Sequence, residues 1–190
     1  MKWGKILLDL AKIGDLEGVK LCIANGADVN AKNHFGRSAL LDSTQNGHLK
    51  IVEFLLQNGA DIECADICGT TALMESAQWG HLAIAKLLLE NGAKIDTKDK
   101  NGKCAFVFAL EQWQVGVIWH FVKCGADVNV RVENGYTALM IAMAHKDKEL
   151  VDYILACGGW INEKFIDDAF DLAREMDERA LLNELLLYMF

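Results

Sequence analysis

Between Ser38 and Asn58, apolar residues fall at Leu40, Leu41, Leu49, Val52, Leu55 and Leu56, at helical spacings that Gly47 interrupts. Such a pattern predicts two short amphipathic helices joined by a tight turn. Thr71 and Thr137, and less well Ser38, stand where an N-cap side chain accepts from the free amides that open the first helix. Asn25-Gly26, Asn58-Gly59 and Asn91-Gly92 close the second helix, because glycine tolerates the left-handed conformation a C-cap requires. The stretch from Val29 to Arg37, with its later equivalents, reads as an exposed hairpin-like finger carrying its own turn glycine.

The whole unit recurs. Gly26-Ala27-Asp28-Val29 returns as Gly59-Ala60-Asp61-Ile62, Gly92-Ala93-Lys94-Ile95, Gly125-Ala126-Asp127-Val128 and Gly158-Gly159-Trp160-Ile161, each time after 33 residues. Gly36, Gly69, Gly102 and Gly135 keep the same phase, two residues before Ser38-Ala39-Leu40, Thr71-Ala72-Leu73, Cys104-Ala105-Phe106 and Thr137-Ala138-Leu139. A fixed period of this length marks a solenoid. Each unit is apolar on two sides, so it is stable only when stacked, and the stack needs a more polar cap at each end.

The expected fold is therefore all-α, one domain of about six helix pairs: a capping repeat over 1–32, regular repeats over 33–65, 66–98, 99–131 and 132–164, and a closing cap over 165–190. Residues 3–13 supply the opening helix, with Lys5, Asp9 and Lys12 among Ile6, Leu7 and Leu10. Asp168–Ala173 aligns with Thr137–Ala142 at a spacing of 31, which predicts a trimmed last finger around Glu163–Asp167.

The period of 33, the Gly47-His48 and Gly80-His81 pairs between helices, and the Thr71-Ala72-Leu73 type of helix start together resemble the ankyrin-repeat family over roughly residues 5–186. The chain departs from the family's T-P-L-H signature in having no proline. Ala39, Ala72, Ala105 and Ala138 take its place, and Leu41, Met74, Val107 and Met140 replace the histidine. The resemblance implies a non-enzymatic module that binds another protein on a concave surface of fingers and first helices. The alternative is an inhibitor or immunity/effector-type protein that blocks a specific enzyme, as some bacterial and viral ankyrin proteins do. A scaffold without a dedicated ligand is a third.

Composition narrows the classes further. Lys plus Arg number 19 against 27 Asp plus Glu, giving a net charge of −8, which repels phosphate and argues against nucleic acid. No apolar run approaches the ~18 residues needed to cross a bilayer. The amino-terminal apolar stretch is cut at Asp9, short of a signal peptide. Among six cysteines, Cys22 falls in the core slot of Leu55 and Leu88, while Cys124 and Cys157 are equivalent residues of adjacent repeats. Equivalent residues lie roughly 8–10 Å apart, too far for a disulfide. Cys64 and Cys68 share a finger without a second pair at zinc-site spacing. Reduced, independent thiols fit a cytoplasmic protein.

Catalytic chemistry finds no foothold. Ser38 is spent on capping, and Ser43 and Ser76 fall in first-helix core slots. His48 and His81 are periodic and read as structural, while His34, His120 and His145 share no slot. P-loop, G-x-G-x-x-G and H-E-x-x-H motifs are missing. Asp28, Asp61 and Asp127 recur in a loop where short polar side chains stabilise turns. The reading is no enzyme, no cofactor and no metal.

Carried onto this sequence, the family's contact surface falls on His34, Phe35 and Arg37 with Gln45 and Asn46, then Ile67, Cys68 and Thr70 with Gln78 and Trp79. Lys100, Asn101 and Lys103 follow with Glu111 and Gln112, then Glu133, Asn134 and Tyr136 with Ala144 and His145. Phe35, Ile67, Trp79, Tyr136 and Arg37 are the expected anchors, since binding energy concentrates in a few buried aromatic, aliphatic and arginine side chains. Lys32, Arg37, Lys98, Lys100, Lys103 and Arg131 line the fingers and would steer an acidic segment of a partner onto a protein otherwise monomeric. In the third repeat Trp113 and Gln114 replace the Gly-His pair, and Trp119 stands where Glu53, Lys86 or Asp152 keep a helix face polar. Local repacking, with Trp113 pushing the turn away from a glycine-like geometry, accounts for this; a second contact patch on the convex side is the alternative. The terminal Leu185–Phe190 is apolar on every face and either packs back on the last repeat or leads into further chain.

Overall fold

The computed structural model describes residues 2–161 together with Ala169, Asp171, Ala173 and Arg174. The expected closing pair, the trimmed finger around Glu163–Asp167 and the apolar Leu185–Phe190 otherwise lie outside the described residues. Helices come in pairs: α1 (Lys2–Ile13) with α2 (Leu16–Ala24), α3 (Ala39–Gln45) with α4 (Leu49–Gln57), and α5 (Ala72–Gln78) with α6 (Leu82–Glu90). Then follow α7 (Ala105–Glu111) with α8 (Val115–Lys123), and α9 (Ala138–Ala144) with α10 (Lys148–Ala156). Among the described residues no strand forms. Isolated antiparallel bridges join Lys32 to Ser38, Lys98 to Cys104 and Arg131 to Thr137 at the finger bases.

Two compact units divide the chain, Met1–Phe121 and Val122 onward. In the first, α1, α3, α5 and α7 pack successively to form an inner row, and α2, α4 and α6 form an outer row behind them. In the second, α9 packs on α10.

Burial explains the lengths. Ala39 to Thr44 of α3 and Ala72 to Ala77 of α5 are buried without a break, because an inner helix has neighbours on both sides as well as behind. Only small residues fit the closest crossings: Ser43 and Ser76 are fully buried and donate their hydroxyls to the carbonyls of Leu40 and Leu73 at 3.1 and 2.8 Å. The outer helices bury one stripe, Ile51, Val52 and Leu55 in α4, and leave Glu53 and Gln57 exposed. Cys22 is buried in α2, as its slot predicts.

Asn25, Asn58 and Asn91 cap their helices with side-chain amides that donate to Leu21, Phe54 and Leu87 carbonyls at 2.7, 2.8 and 2.8 Å. Ser38 and Thr71 accept from the amides of Leu41 and Met74, both at 3.4 Å. Thr137 departs from expectation. Its hydroxyl makes no cap and donates to the Trp160 carbonyl at 2.9 Å. Asp147, by contrast, caps α10 by accepting from Leu150 at 3.1 Å.

Trp113 also corrects a sequence expectation. It does not push the inter-helix turn away from the glycine geometry but adopts it, with φ 49°, and Lys146 does the same at φ 56°. Main-chain bonds from Trp113 to Leu110 and from Gln114 to Ala109, at 3.2 and 2.9 Å, hold the turn in place. They outweigh a left-handed penalty of roughly 1–2 kcal/mol. Trp113 and Trp119 are both half-buried.

Candidate functional site

Each of the first three fingers is built by one short polar side chain at its base. Asn33 Oδ1 accepts from the amides of Phe35 and Arg37 at 2.9 and 3.1 Å, Asp66 Oδ1 from Cys68 and Thr70 at 2.8 and 3.0 Å, and Asp99 Oδ1 from Asn101 and Lys103 at 2.9 and 2.8 Å. These Asx turns fix the tips before any neighbour is present. Adjacent tips then zip together: Ile67 N donates to Phe35 O and Lys100 N to Cys68 O, both at 3.0 Å.

The zip sets Phe35 beside Ile67 on neighbouring fingers, 52% and 54% exposed. The His34 ring packs against Phe35 with centroids 3.8 Å apart. Trp79, half exposed at the end of α5, donates its indole N–H to Glu75 Oε2 at 3.1 Å. Three of the expected anchors are thus solvent-facing apolar side chains held from below.

Arg37 is placed differently. Its Nε donates to Asp42 Oδ1 at 2.6 Å, Nη1 to Glu75 Oε1 at 2.7 Å and Nη2 to Gln45 Oε1 at 2.8 Å. The guanidinium is half-buried beneath the tips, with one N–H of each nitrogen bonded inside the protein. Burial alone would lower its pKa, but hydrogen bonds and charge from Asp42 and Glu75 outweigh this and raise it. Asp42 and Glu75 are buried, at 7% and 4% exposure, and sequence reasoning missed both. The available signal was an acid in the same slot of two successive repeats beside an arginine.

The remaining predicted positions divide by exposure. Asn46, Cys68, Lys100, Asn101, Glu111 and Gln112 are exposed; Gln45, Thr70, Gln78 and Lys103 are half-buried. Lys103 Nζ pairs with Glu111 Oε1 at 2.8 Å. Asn46 donates its side-chain amide to the Asp42 carbonyl at 2.8 Å. In the second unit Tyr136 is half-buried and receives its turn from Asn134 Oδ1 at 3.0 Å, while His145 is exposed at the end of α9. Arg131 of that unit lies over the Trp160 ring, 5.2 Å from its centroid.

A cavity of about 1170 Å³ opens between α1 and the first finger, with Trp3, Lys5 and Lys12 on one wall, Phe35 on the other, and Arg37 and Gln45 at its floor. Reading residues 3–13 only as a cap hid this. The added amino-terminal turn of α1 lies where later repeats have a finger, and Gly4 holds the slot of Arg37.

The histidines at repeat junctions serve the backbone. Nε2 of His48 and His81 reaches the carbonyls of Lys12 and Gln45 at 3.1 and 3.0 Å. Asp28, Asp61 and Asp127 each accept from the amide two residues on, at 2.9, 3.1 and 2.9 Å. Among the described residues, no group of three or more His, Cys, Asp or Glu is placed to hold a metal ion. None of the described helices is long and apolar enough to cross a membrane.

No curated protein matches the chain. Two family models do: one described as ankyrin repeats (3 copies) over residues 7–99, and one described as ankyrin repeat over residues 134–163. With more than half of its length matched and its helix pairs, glycine turns and fingers recurring in step, the chain belongs to the ankyrin-repeat family.

Proposed function

We propose that this chain is a protein-binding module that recognises its partner on the fingers and inner-helix ends of its first unit, making and breaking no covalent bond. Ankyrin repeats generally mediate protein–protein interaction. The observation that carries the reading is the row of Phe35, Ile67 and Trp79, large apolar side chains left half exposed on a framework that fixes their backbone. Surface of this kind becomes favourable only when a partner covers it. Lys98 and Lys100, both exposed on the third finger, support a partner with an acidic stretch. Three exposed thiols, Cys68, Cys124 and Cys157, support a reducing compartment such as the cytoplasm.

The test is a paired capture from native lysate with the wild-type chain and a Phe35→Asp/Ile67→Asp variant, alongside thermal melts of both. A protein retained by the wild type and lost by the equally stable variant supports the reading. Equal retention by both sinks it.

A further inference from the structure

Carboxylates outnumber cations beneath the exposed tips. Arg37 bonds Asp42 and Glu75, and its Nη1 also lies 3.7 Å from Asp66 Oδ2, so three acids converge on one guanidinium. A further cation, Lys32, donates its ammonium to the carbonyl of Ala65, next to Asp66 in the chain, at 3.2 Å. Among these five groups three negative charges stand against two positive. Asp42 and Glu75 are buried, where an imbalance is screened less than at the surface and costs more. Arg37 already donates from each of its three nitrogens to Asp42, Glu75 and Gln45, so its charge is matched within the protein.

Trp79 adds the other half. Glu75 holds its indole N–H, which sets the ring beside the acidic floor while half of the side chain faces solvent. An aromatic face next to excess negative charge attracts a cation through the ring quadrupole and the carboxylates together. Phe35 and Ile67, on the zipped tips above Arg37 and Asp66, supply apolar contact in the same patch.

We propose that this patch takes a partner segment in which a guanidinium or ammonium group stands next to a large apolar side chain. The apolar group covers Phe35 and Ile67, and the cation sits over Trp79 and the Asp42–Glu75 floor. The inference rests on the finger surface being the binding face. It gives the segment a direction, with its cation at the first two repeats and any acidic stretch at Lys98 and Lys100 of the third finger.

A phage-displayed library of random twelve-residue peptides, panned on the full chain, tests this directly. Enriched sequences are synthesised with a fluorescent label and titrated by anisotropy against the wild type, Glu75→Gln, Trp79→Leu and Phe35→Asp/Ile67→Asp, each first checked by thermal melt. The expected consensus is Lys or Arg within two residues of Phe, Trp, Leu or Ile, weakened about tenfold by Glu75→Gln. Replacing the peptide's cation by Gln then weakens binding to the wild type but not to Glu75→Gln. Trp79→Leu, at an exposed position, weakens binding as well and serves where Glu75→Gln does not fold. A consensus without a cation, still lost with Phe35→Asp/Ile67→Asp, overturns this inference and leaves the binding face intact. Peptides that bind all four proteins alike, or no enrichment at all, overturn both.

Discussion

His81 bonds the second repeat to the first by donating its Nε2–H to the main-chain carbonyl of Gln45 at 3.0 Å. A carbonyl in the last turn of a helix has no partner within that helix, and Gln45 ends α3. His48 does the same for Lys12, and Gln114 for Gln78 at 3.2 Å, each reaching back 36 residues. Asp15 and Asp147 hold the same slot with no hydrogen to donate, and each turns to cap its own helix. Where the slot reaches back to the preceding repeat, it holds a donor of His or Gln length. His81→Gln should keep stability within about 0.5 kcal/mol, while His81→Ala should lose about 1–2 kcal/mol. Urea denaturation separates them, and equal midpoints for the two variants would show the bond to be incidental.

Gly47 and Gly59 have similar backbones, φ 74° and 84°, but different surroundings. A Cβ on Gly47 would come within 2.8 Å of His81 Cε1, whereas one on Gly59 meets nothing within 4 Å. Gly59→Ala should cost only the left-handed penalty of about 1 kcal/mol. Gly47→Ala should cost about 1–2 kcal/mol more, because the ring must move and release Gln45. In the His81→Ala background that surplus should vanish, since the two sites share one contact. A surplus that persists there would refute the steric account.

Thr44 lies fully buried in α3 with its Oγ1 unpaired among the described residues, while Ser43 beside it has taken the Leu40 carbonyl. The equivalent positions Ala11 and Ala77 carry no hydroxyl. Thr44→Val keeps the shape and the β-branch and removes an unsatisfied polar group, so it should raise stability by about 1 kcal/mol. A variant less stable than the wild type in thermal and chemical melts would mean that the hydroxyl has a partner in solution.

What could be read from the sequence was what is decided locally. Asn25-Gly26, Asn58-Gly59 and Asn91-Gly92 each end a helix at its own last turn, and an Asx residue at a finger base folds its own turn, so repeat boundaries and tips follow from residues a few places apart. Thr137 was misread because its hydroxyl goes to Trp160, 23 residues on, which no local rule detects. Arg37 looked like an anchor because an arginine on a finger is usually solvated. Its position is decided by Glu75, 38 residues later, on an inner helix whose acid a hydrophobic pattern treats as exposed. Trp113 was misjudged from its own bulk, when the neighbouring main-chain bonds fix the turn whatever side chain it carries.

Cys22 makes the response to alkali testable. Its thiol is buried in α2, and burial, then the negative charge of Asp15, push its pKa up. In the unfolded chain the same thiol ionises in the ordinary range, near pH 8.5. Below that range both states hold the proton and the full stability is present. As pH rises through it, the unfolded state loses its proton first and is favoured, so stability falls until the folded thiol also ionises. Cys22→Val keeps the slot apolar, like Leu55 and Leu88, and removes this group. The wild type should therefore lose stability relative to Cys22→Val between about pH 8 and about pH 10. Denaturation midpoints across that range check it, and two curves that stay parallel would show that Cys22 ionises alike in both states.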